Sequence, residues 1–473
     1  MATLTFYGAV EGVTGSMHLL KTRSSTVLLD CGLFQGGRKV EAQNTQDFPF
    51  AIGDIDAVVL SHAHLDHSGR LPLLIRKGYR GPIYMTSATC DLIDIMLKDA
   101  ASLQMRDAEW ENKRRQRAGK DPIDPLYTLE DVEQTLQLCQ GIDYNCSAQV
   151  TSDITLMLHE AGHILGSSIV ELILSDTTPS RKLVFSGDLG NAQAALLRDP
   201  AYIRDANVVL MESTYGDREH RSMQATLDEF EEVITKASAD GGNILIPSFA
   251  VGRTQEIIFR LGELYQKGKL PQQLICLDSP MAIAVTEIYH RYQDVYNRED
   301  KARIENYGSS DAKYTQKSLH TFLPPLRYAV STEESVALNR IDRGAIIIAG
   351  SGMCNGGRIR HHLKHNLWRR QSHVIFVGYQ AVGTPGRKLV DGAKRIRMAG
   401  ESIAVNAQIH TMGGFSAHAS QSQLIDWFLH FTSPSPQLFL VHGEDTAKQV
   451  LQKALSEKGV QAKIPEEGQT IDI

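Results

Sequence analysis

The 473-residue sequence predicts a layered α/β protein with more than one domain, and three observations carry that reading. The chain is too long for one ordinary core. Short β-branched runs that close on Gly, Asp or His recur from end to end: "STVLLD", "DAVVLSH", "KLVFSGD", "NVVLME", "NILIPS", "QLICLD", "AIIIAG", "HVIFVG", "SIAVNAQ" and "QLFLVH". Each has the length and composition of a buried strand. Helical patterns ending at glycine lie between many of them: Ser222–Asp240 before Gly241–Gly242, Gly252–Lys267 before Gly268, and Asp445–Lys458 before Gly459.

Taken in order, "GAVEGVTGS" reads as a hairpin turn, because it lacks the Gly-Lys-Ser/Thr ending of a phosphate loop. Asp30 ends the first buried run, and "DAVVLS" leads into "HAHLDHSG". There the two-residue spacing puts His62 and His64 on one side of an extended segment. Asp66 and His67 enter a turn, and Ser68–Lys77 with Gly78 forms the next helix. The charged stretch from Met105 to Gln140 is a helical excursion broken by two prolines; its acids offset its bases. His163 falls in a loop between "ITLML" and "SSIVELIL", while Asp188, Glu212 and His442 each end a strand. His418 follows Gly413–Gly414 in a loop, before a helix over Gln421–His430 capped by Ser420.

Composition narrows the class. With 42% hydrophobic and 22% charged residues the chain is an ordinary soluble one. "MATLTFYGAV" has neither the basic nor the apolar region of a signal peptide. No run approaches the ~18–20 apolar residues of a membrane span. Six scattered cysteines without a C-x-x-C pair fit reduced thiols and a cytoplasmic location. The net charge of −6 excludes a uniformly basic nucleic-acid coat, yet Arg358 to Arg397 holds ten Lys/Arg against one acid, a local balance of +9.

The chemistry concentrates at the strand ends. Five histidines (His62, His64, His67, His163, His442) and two aspartates (Asp66, Asp188) suit a borderline divalent ion, and imidazole favours zinc. Seven ligands exceed the needs of one four-coordinate ion. Two ions about 3.5–4 Å apart that share a carboxylate account for the number, and such pairs hydrolyse phosphate esters. Asp30 is expected outside this set, orienting a ligand imidazole. His18, His159, His290, His320 and His430 are read as structural.

These residues sit in motifs that resemble a known family. "SHAHLDHSG", "HEAGHILGSS" with His163 and "FSGDLG" with Asp188 resemble the metallo-β-lactamase fold. "ESTYGDREH" with Glu212, "FSAHAS" with His418 and "LVHGE" with His442 resemble its β-CASP nuclease branch, as do "PSFAVGRTQE", "LDSPMA", "GSGMCNGGR" and "GYQAVGTPGR". The likeness spans nearly the whole chain and is nearest to the RNA-processing members, such as the mRNA 3′-end cleavage subunit and its stand-alone bacterial counterparts. It implies an αββα sandwich formed by residues 1–212 and 396–473, with a β-CASP α/β domain inserted at 213–395 and the active site in the cleft between them.

Carried over by position, the resemblance implies two zinc ions per chain. His62, His64 and His163 hold one; Asp66, His67 and His442 hold the other; Asp188 bridges. Asp66, Glu212 and His418 form the expected catalytic set, with His418 as general acid and Glu212 fixing its imidazole. His442 favours RNA over DNA. Neither the N-terminal KH-type module of archaeal relatives nor the added C-terminal domain of ribonuclease J is visible, so substrate selection by such modules is not expected.

The function expected is a zinc-dependent ribonuclease acting on single-stranded RNA in processing or decay, with internal cleavage as the mode. A homodimer is left open. Backbone amides at Ser351, Gly352, Gly383 and Thr384, with Arg358 and Arg387, are the expected phosphate contacts. A small-molecule (thio)ester hydrolase on the same fold is the alternative; it has no use for the inserted domain or the basic window, and strong salt dependence of binding separates the two. A non-catalytic RNA-binding subunit would have lost ligands, and here all seven are present.

Overall fold

All ten β-branched runs are strands in the computed structural model, which describes residues 2–473 except 177, 273, 308–317, 382, 399, 433 and 434. Helices form at the glycine stops, while the one expected over Ser68–Lys77 is shorter, Leu71–Arg76, because Ser68 ends a separate turn, Leu65–Ser68. Met223–Asp240 starts at Ser222, whose hydroxyl accepts from the Ala225 amide, and ends at Gly241 with φ 74°. Arg253–Gln266 and Asp445–Glu457 likewise end just before Gly268 and Gly459. The charged excursion is a 31-residue helix, Ser87–Arg117, and a shorter one, Leu129–Gln137, capped by Thr128.

The described chain divides into two compact units: residues 1–192, 199–219 and 418–473 form the first, 193–198 and 220–417 the second. The crossings at 219/220 and 417/418 lie beyond the 212/213 and 395/396 expected from the sequence. The reason is pairing: Arg395–Met398 and Glu401–Ala404 form a hairpin, and Gln408–Thr411 is the edge strand beside His373–Phe376 in the second unit's sheet.

The first unit holds two seven-stranded sheets. One runs Thr470–Asp472, Thr3–Tyr7, Met17–Lys21, Thr26–Leu29, Ala57–Val59, Ile83–Thr86, Cys139–Ile142. The other runs Ala462–Lys463, Gln437–Val441, Val208–Glu212, Arg181–Phe185, Ser168–Leu174, Ile154–Glu160, Ser147–Gln149. Leu4, Phe6, Val27 and Val59 of the first pack with Leu156, Phe185, Leu210 and Phe439 of the second in one buried cluster. The other face of the second sheet takes Leu424, Trp427 and Phe428 of helix Gln421–Leu429 and Leu451 and Leu455 of Asp445–Glu457. These are the sandwich layers expected. "GAVEGVTGS" is indeed a hairpin turn, joining antiparallel Thr3–Tyr7 and Met17–Lys21.

The second unit is a parallel sheet in the order Leu326–Tyr328, Leu274–Leu277, Ala345–Ala349, Ile244–Pro247, His373–Phe376, Gln408–Thr411. Its central strands read as continuous apolar runs, as covering both faces requires. No helix among the described residues is long and apolar enough to cross a membrane.

Phe6 is fully buried, with its ring 5.1 Å from Phe439 across the two sheets. Phe6→Ala should therefore cost about 3–5 kcal/mol through lost burial and an uncollapsed cavity. Denaturant unfolding of the variant checks this as a lower midpoint at unchanged slope.

Candidate metal centre

The strand order dictates the site. Asp30, His62, His64, Asp188, Glu212 and His442 all lie at or just after the carboxyl ends of strands with parallel neighbours. His163 joins them from the loop between antiparallel Ile154–Glu160 and Ser168–Leu174. "HLDHS" is not an open turn: Leu65–Ser68 is a helical turn with His64 at its N-cap, aiming Asp66 and His67 back at the cluster.

Two ligand sets result, each with its donor atoms within 4.8 Å of one another: His62, His64, His163 and Asp188 in one, Asp66, His67 and His442 in the other. In the first, His64 Nδ1 lies 3.2 Å from His62 Nε2 and 3.1 Å from His163 Nε2. In the second, His67 Nε2 lies 3.1 Å from His442 Nε2, which is 3.6 Å from Asp66 Oδ2. Asp188 faces both. Its Oδ2 is 3.4 Å from His62 Nε2 and 3.5 Å from His163 Nε2, while its Oδ1 is 3.3 Å from His67 Nε2.

The donor set fits bound metal. Asp188 Oδ1 is buried and accepts no hydrogen bond among the described residues, an expensive arrangement unless a cation compensates it. Burial opposes the charge of Asp188, yet His442, His67 and His62 hold its carboxyl well below the usual range. Burial and the neighbouring His62 push His64 down to about 3, leaving a neutral imidazole able to ligate.

A supporting layer fixes the ligands. Asp30 Oδ2 lies 2.7 Å from His67 Nδ1, so the Nε2 of that ring is left for the centre. Asp30 in turn accepts from the Ser61 amide at 2.8 Å and from the hydroxyls of Ser16 and Ser61. Ser61 Oγ also touches His62 Nδ1, at 3.1 Å, and Thr214 Oγ1 touches His442 Nδ1, at 3.2 Å. Sequence reasoning found Asp30 but missed Ser16, Ser61 and Thr214; of these only Ser61 carries a sequence signal, its place next to His62. It also missed two glycines. Segment 31–33 clamps the 65–68 turn through Cys31 N to His67 O and Leu33 N to Leu65 O, and Ser16 N adds a bond to Asp66 O. A Cβ at Gly32 would lie 1.7 Å from Asp66 O, and one at Gly190 2.0 Å from the carbonyl before His163.

Glu212 and His418 form a third group with Asp188. His418 Nδ1 is 3.2 Å from Glu212 Oε1 and 4.0 Å from Asp188 Oδ2. Glu212 is fully buried and held by the amides of Leu189 at 2.7 Å and Thr214 at 3.2 Å. Burial pulls the His418 imidazole down, but the Glu212 carboxylate beside it lifts it to about 9. The histidines read as structural lie elsewhere: His18 is buried edge-on to Phe6 and Phe185, His159 bonds Asn145 and Glu171, His290 bonds Gln293, His320 lies against Tyr328, and His430 stacks on Tyr202.

Of the residues expected to contact phosphate, Arg358, Ser351, Thr384 and Arg387 have partners within the protein. Arg358 donates to buried Asp278 at 2.7 Å and to the carbonyls of Ala329 and Val330, so its guanidinium anchors the "GSGMCNGGR" loop. The Ser351 amide points to Gly356 O and the Thr384 amide to Ala381 O, both inside their own loops. Thr384 also caps Pro385–Val390, and Arg387, exposed, pairs with Asp391. Gly352 lies beneath the Phe249 ring, whereas Gly383, with φ 90°, borders open space.

Two outcomes follow from this geometry. Gly32→Ala should displace the Asp66–His67 turn and lower metal content, read by elemental analysis beside an unchanged circular dichroism spectrum. Arg358→Ala should lower stability by about 1–3 kcal/mol, since the buried Asp278 carboxylate keeps His362 and Ser335 but loses one charged hydrogen bond; chemical denaturation measures it.

Comparison with known proteins agrees with the motifs. Residues 19–212 match the family model described as a metallo-beta-lactamase superfamily domain, 254–389 the Beta-Casp domain, and 402–465 the Zn-dependent metallo-hydrolase RNA specificity domain. The chain is 40% identical over 469 residues to Ribonuclease TTHA0252 of Thermus thermophilus, covering 99% of each. It is 32% identical to Transcription termination factor FttA of Methanocaldococcus jannaschii and 31% to that of Methanosarcina mazei, covering 94% of this chain and 67% of theirs. A crystal structure of a protein of unknown function from Enterococcus faecalis V583 shares the fold, with TM-score 0.53 at 13% identity over 99% of both chains.

Proposed function

The chain belongs to the β-CASP branch of the metallo-β-lactamase superfamily, and from that premise we propose that it is a zinc-dependent ribonuclease hydrolysing phosphodiester bonds of single-stranded RNA, by internal cleavage. The observation that carries the reading is Asp188, whose two oxygens face two separate ligand sets. One ion would be held by His62, His64 and His163 and the other by Asp66, His67 and His442, with Asp188 shared. Ions bound there supply an activated water and neutralise charge on the phosphodiester.

The chain's own residues do the rest. Asp30 fixes the His67 ring, and Thr214 the His442 ring, so that neither turns away on binding. Glu212, itself held by two amides, orients His418 and favours its protonated form. As the phosphorus–oxygen bond breaks, His418 gives its proton to the departing ribose oxygen. A small-molecule hydrolase would use the same centre but leaves the second unit without a role.

Purified protein should contain two zinc ions and cut 5′- and 3′-labelled RNA at internal positions while sparing matched DNA; a single ion, or equal cutting of both, counts against the reading. Asp188→Ala should lose both metal and activity, because one carboxylate compensates two positive centres. His418→Ala should keep its zinc and slow turnover by about 10²–10⁴. Zinc loss from that variant would make His418 a ligand instead.

A further inference from the structure

Large aromatic side chains are normally buried, yet at the carboxyl end of the second unit's sheet two are not. Phe249 is 43% exposed and Tyr379 51% exposed. Phe249 follows strand Ile244–Pro247 and Tyr379 follows His373–Phe376, and these strands are hydrogen-bonded parallel neighbours. Counted on from the pairing of Ile244 with His373, Phe249 falls opposite Gly378, directly before Tyr379. The two aromatics thus leave adjacent strands at the same level, where strands are about 4.8 Å apart.

The ground beneath them is fixed. Gly352 supports the Phe249 ring so closely that an added Cβ would lie 2.8 Å from it. Gln380, buried next to Tyr379, donates to the carbonyls of Gly352, Gly378 and Tyr379, tying the end of His373–Phe376 to the "GSGMCNGG" loop on which the Phe249 ring rests. Thr254 holds the Phe249 carbonyl at 2.6 Å. The backbone carrying both rings is anchored while the rings themselves face solvent, and the Tyr379 hydroxyl has no partner among the described residues. Nearby in sequence, Arg360, Lys388 and Lys394 have no acid within ion-pair distance among the described residues, so the local charge suits a polyanion.

Exposed aromatic faces on an anchored backbone are what unpaired nucleobases require: each base offers a π-face whatever its identity, and only a single strand presents it. We propose that Phe249 and Tyr379 form a stacking platform for successive bases of single-stranded RNA, selecting single strands over duplex. The platform rests on the ribonuclease reading given above and supplies its substrate selection. It adds no base code, so cleavage should tolerate sequence and discriminate against pairing.

The test is steady-state cleavage by the zinc-loaded enzyme of an unpaired RNA, the same RNA annealed to its complement, and the same RNA with abasic sites. Phe249→Leu keeps the apolar cover over Gly352 but removes the ring; Tyr379→Leu does the same for its partner, and Tyr379→Phe keeps the ring. Each leucine variant should raise KM for unpaired RNA roughly tenfold to a hundredfold, the loss expected for one stacked base. Tyr379→Phe should match wild type. Abasic sites should raise KM for wild type and add little in the double leucine variant. Zinc content is measured on every variant, so a misfolded protein is not counted. Leucine variants with wild-type KM, or equal loss on abasic and intact RNA, overturn the platform. A wild-type enzyme that cuts no RNA overturns the ribonuclease reading instead.

Discussion

A buried carboxylate with both oxygens aimed at imidazole clusters is the constraint on which this structure turns. Asp188 is 2% exposed, and one of its oxygens has no hydrogen-bond donor among the described residues. An isolated charge in such a place is prohibitive. It persists because candidate ligands from three other chain segments, 62–67, 163 and 442, converge on it, and they converge because strands of both sheets end at the same rim. The sandwich core of Phe6, Phe185, Leu210 and Phe439 is what keeps those ends together. Packing in the core and chemistry at the rim are in this sense a single requirement.

Precision then comes from backbone proximity. Between strand end Leu29 and the turn at Leu65–Ser68 there is no space for a side chain at Gly32, and two backbone hydrogen bonds lock the two segments. Asp30 adopts φ 58° and His442 φ 49°, conformations that side chains rarely take. Both are held by neighbours: Asp30 by Ser16 and Ser61, His442 by its amide on Ala9 O at 2.7 Å. The loop "GAVEGVTGS", an ordinary hairpin turn in the sequence, therefore also seats His442, a residue of the candidate metal centre. Lys448, almost fully buried, ties the same loop down by donating to the Val10 carbonyl.

The candidate ligands at His62, Asp188 and His442 were legible in the sequence because each follows a short apolar run, and such runs mark strands whose ends gather in layered α/β proteins. Asp30 was legible for the same reason. Ser61, Thr214, Gly32 and Gly190 were not, since their roles depend on distances between segments far apart in the chain. The unit boundaries were misplaced at 395/396 because local pattern marks strands but not their partners. Only pairing with His373–Phe376 assigns Gln408–Thr411 to the second unit.

The basic window shows the same limit in electrostatic form. Counted along the chain, Arg358 to Arg397 carries +9. In space, Arg358 meets Asp278, Lys364 meets Glu401, Arg369 meets Asp342 and Arg387 meets Asp391. Three of those four acids lie outside the window. The partners also differ in what they do: Asp278, fully buried, holds the partly buried Arg358 and is joined by His362 at 2.6 Å and Ser335 at 2.6 Å, so that pair is architecture, whereas the exposed Arg387–Asp391 pair is weak and screened by salt. A polyanion can displace Asp391 from Arg387 at small cost but cannot extract Arg358 from Asp278. Charge available to RNA is thus set by the burial of each cation's partner, and the cations without one, among them Arg360, Lys388 and Lys394, carry the field that the window as a whole only suggests.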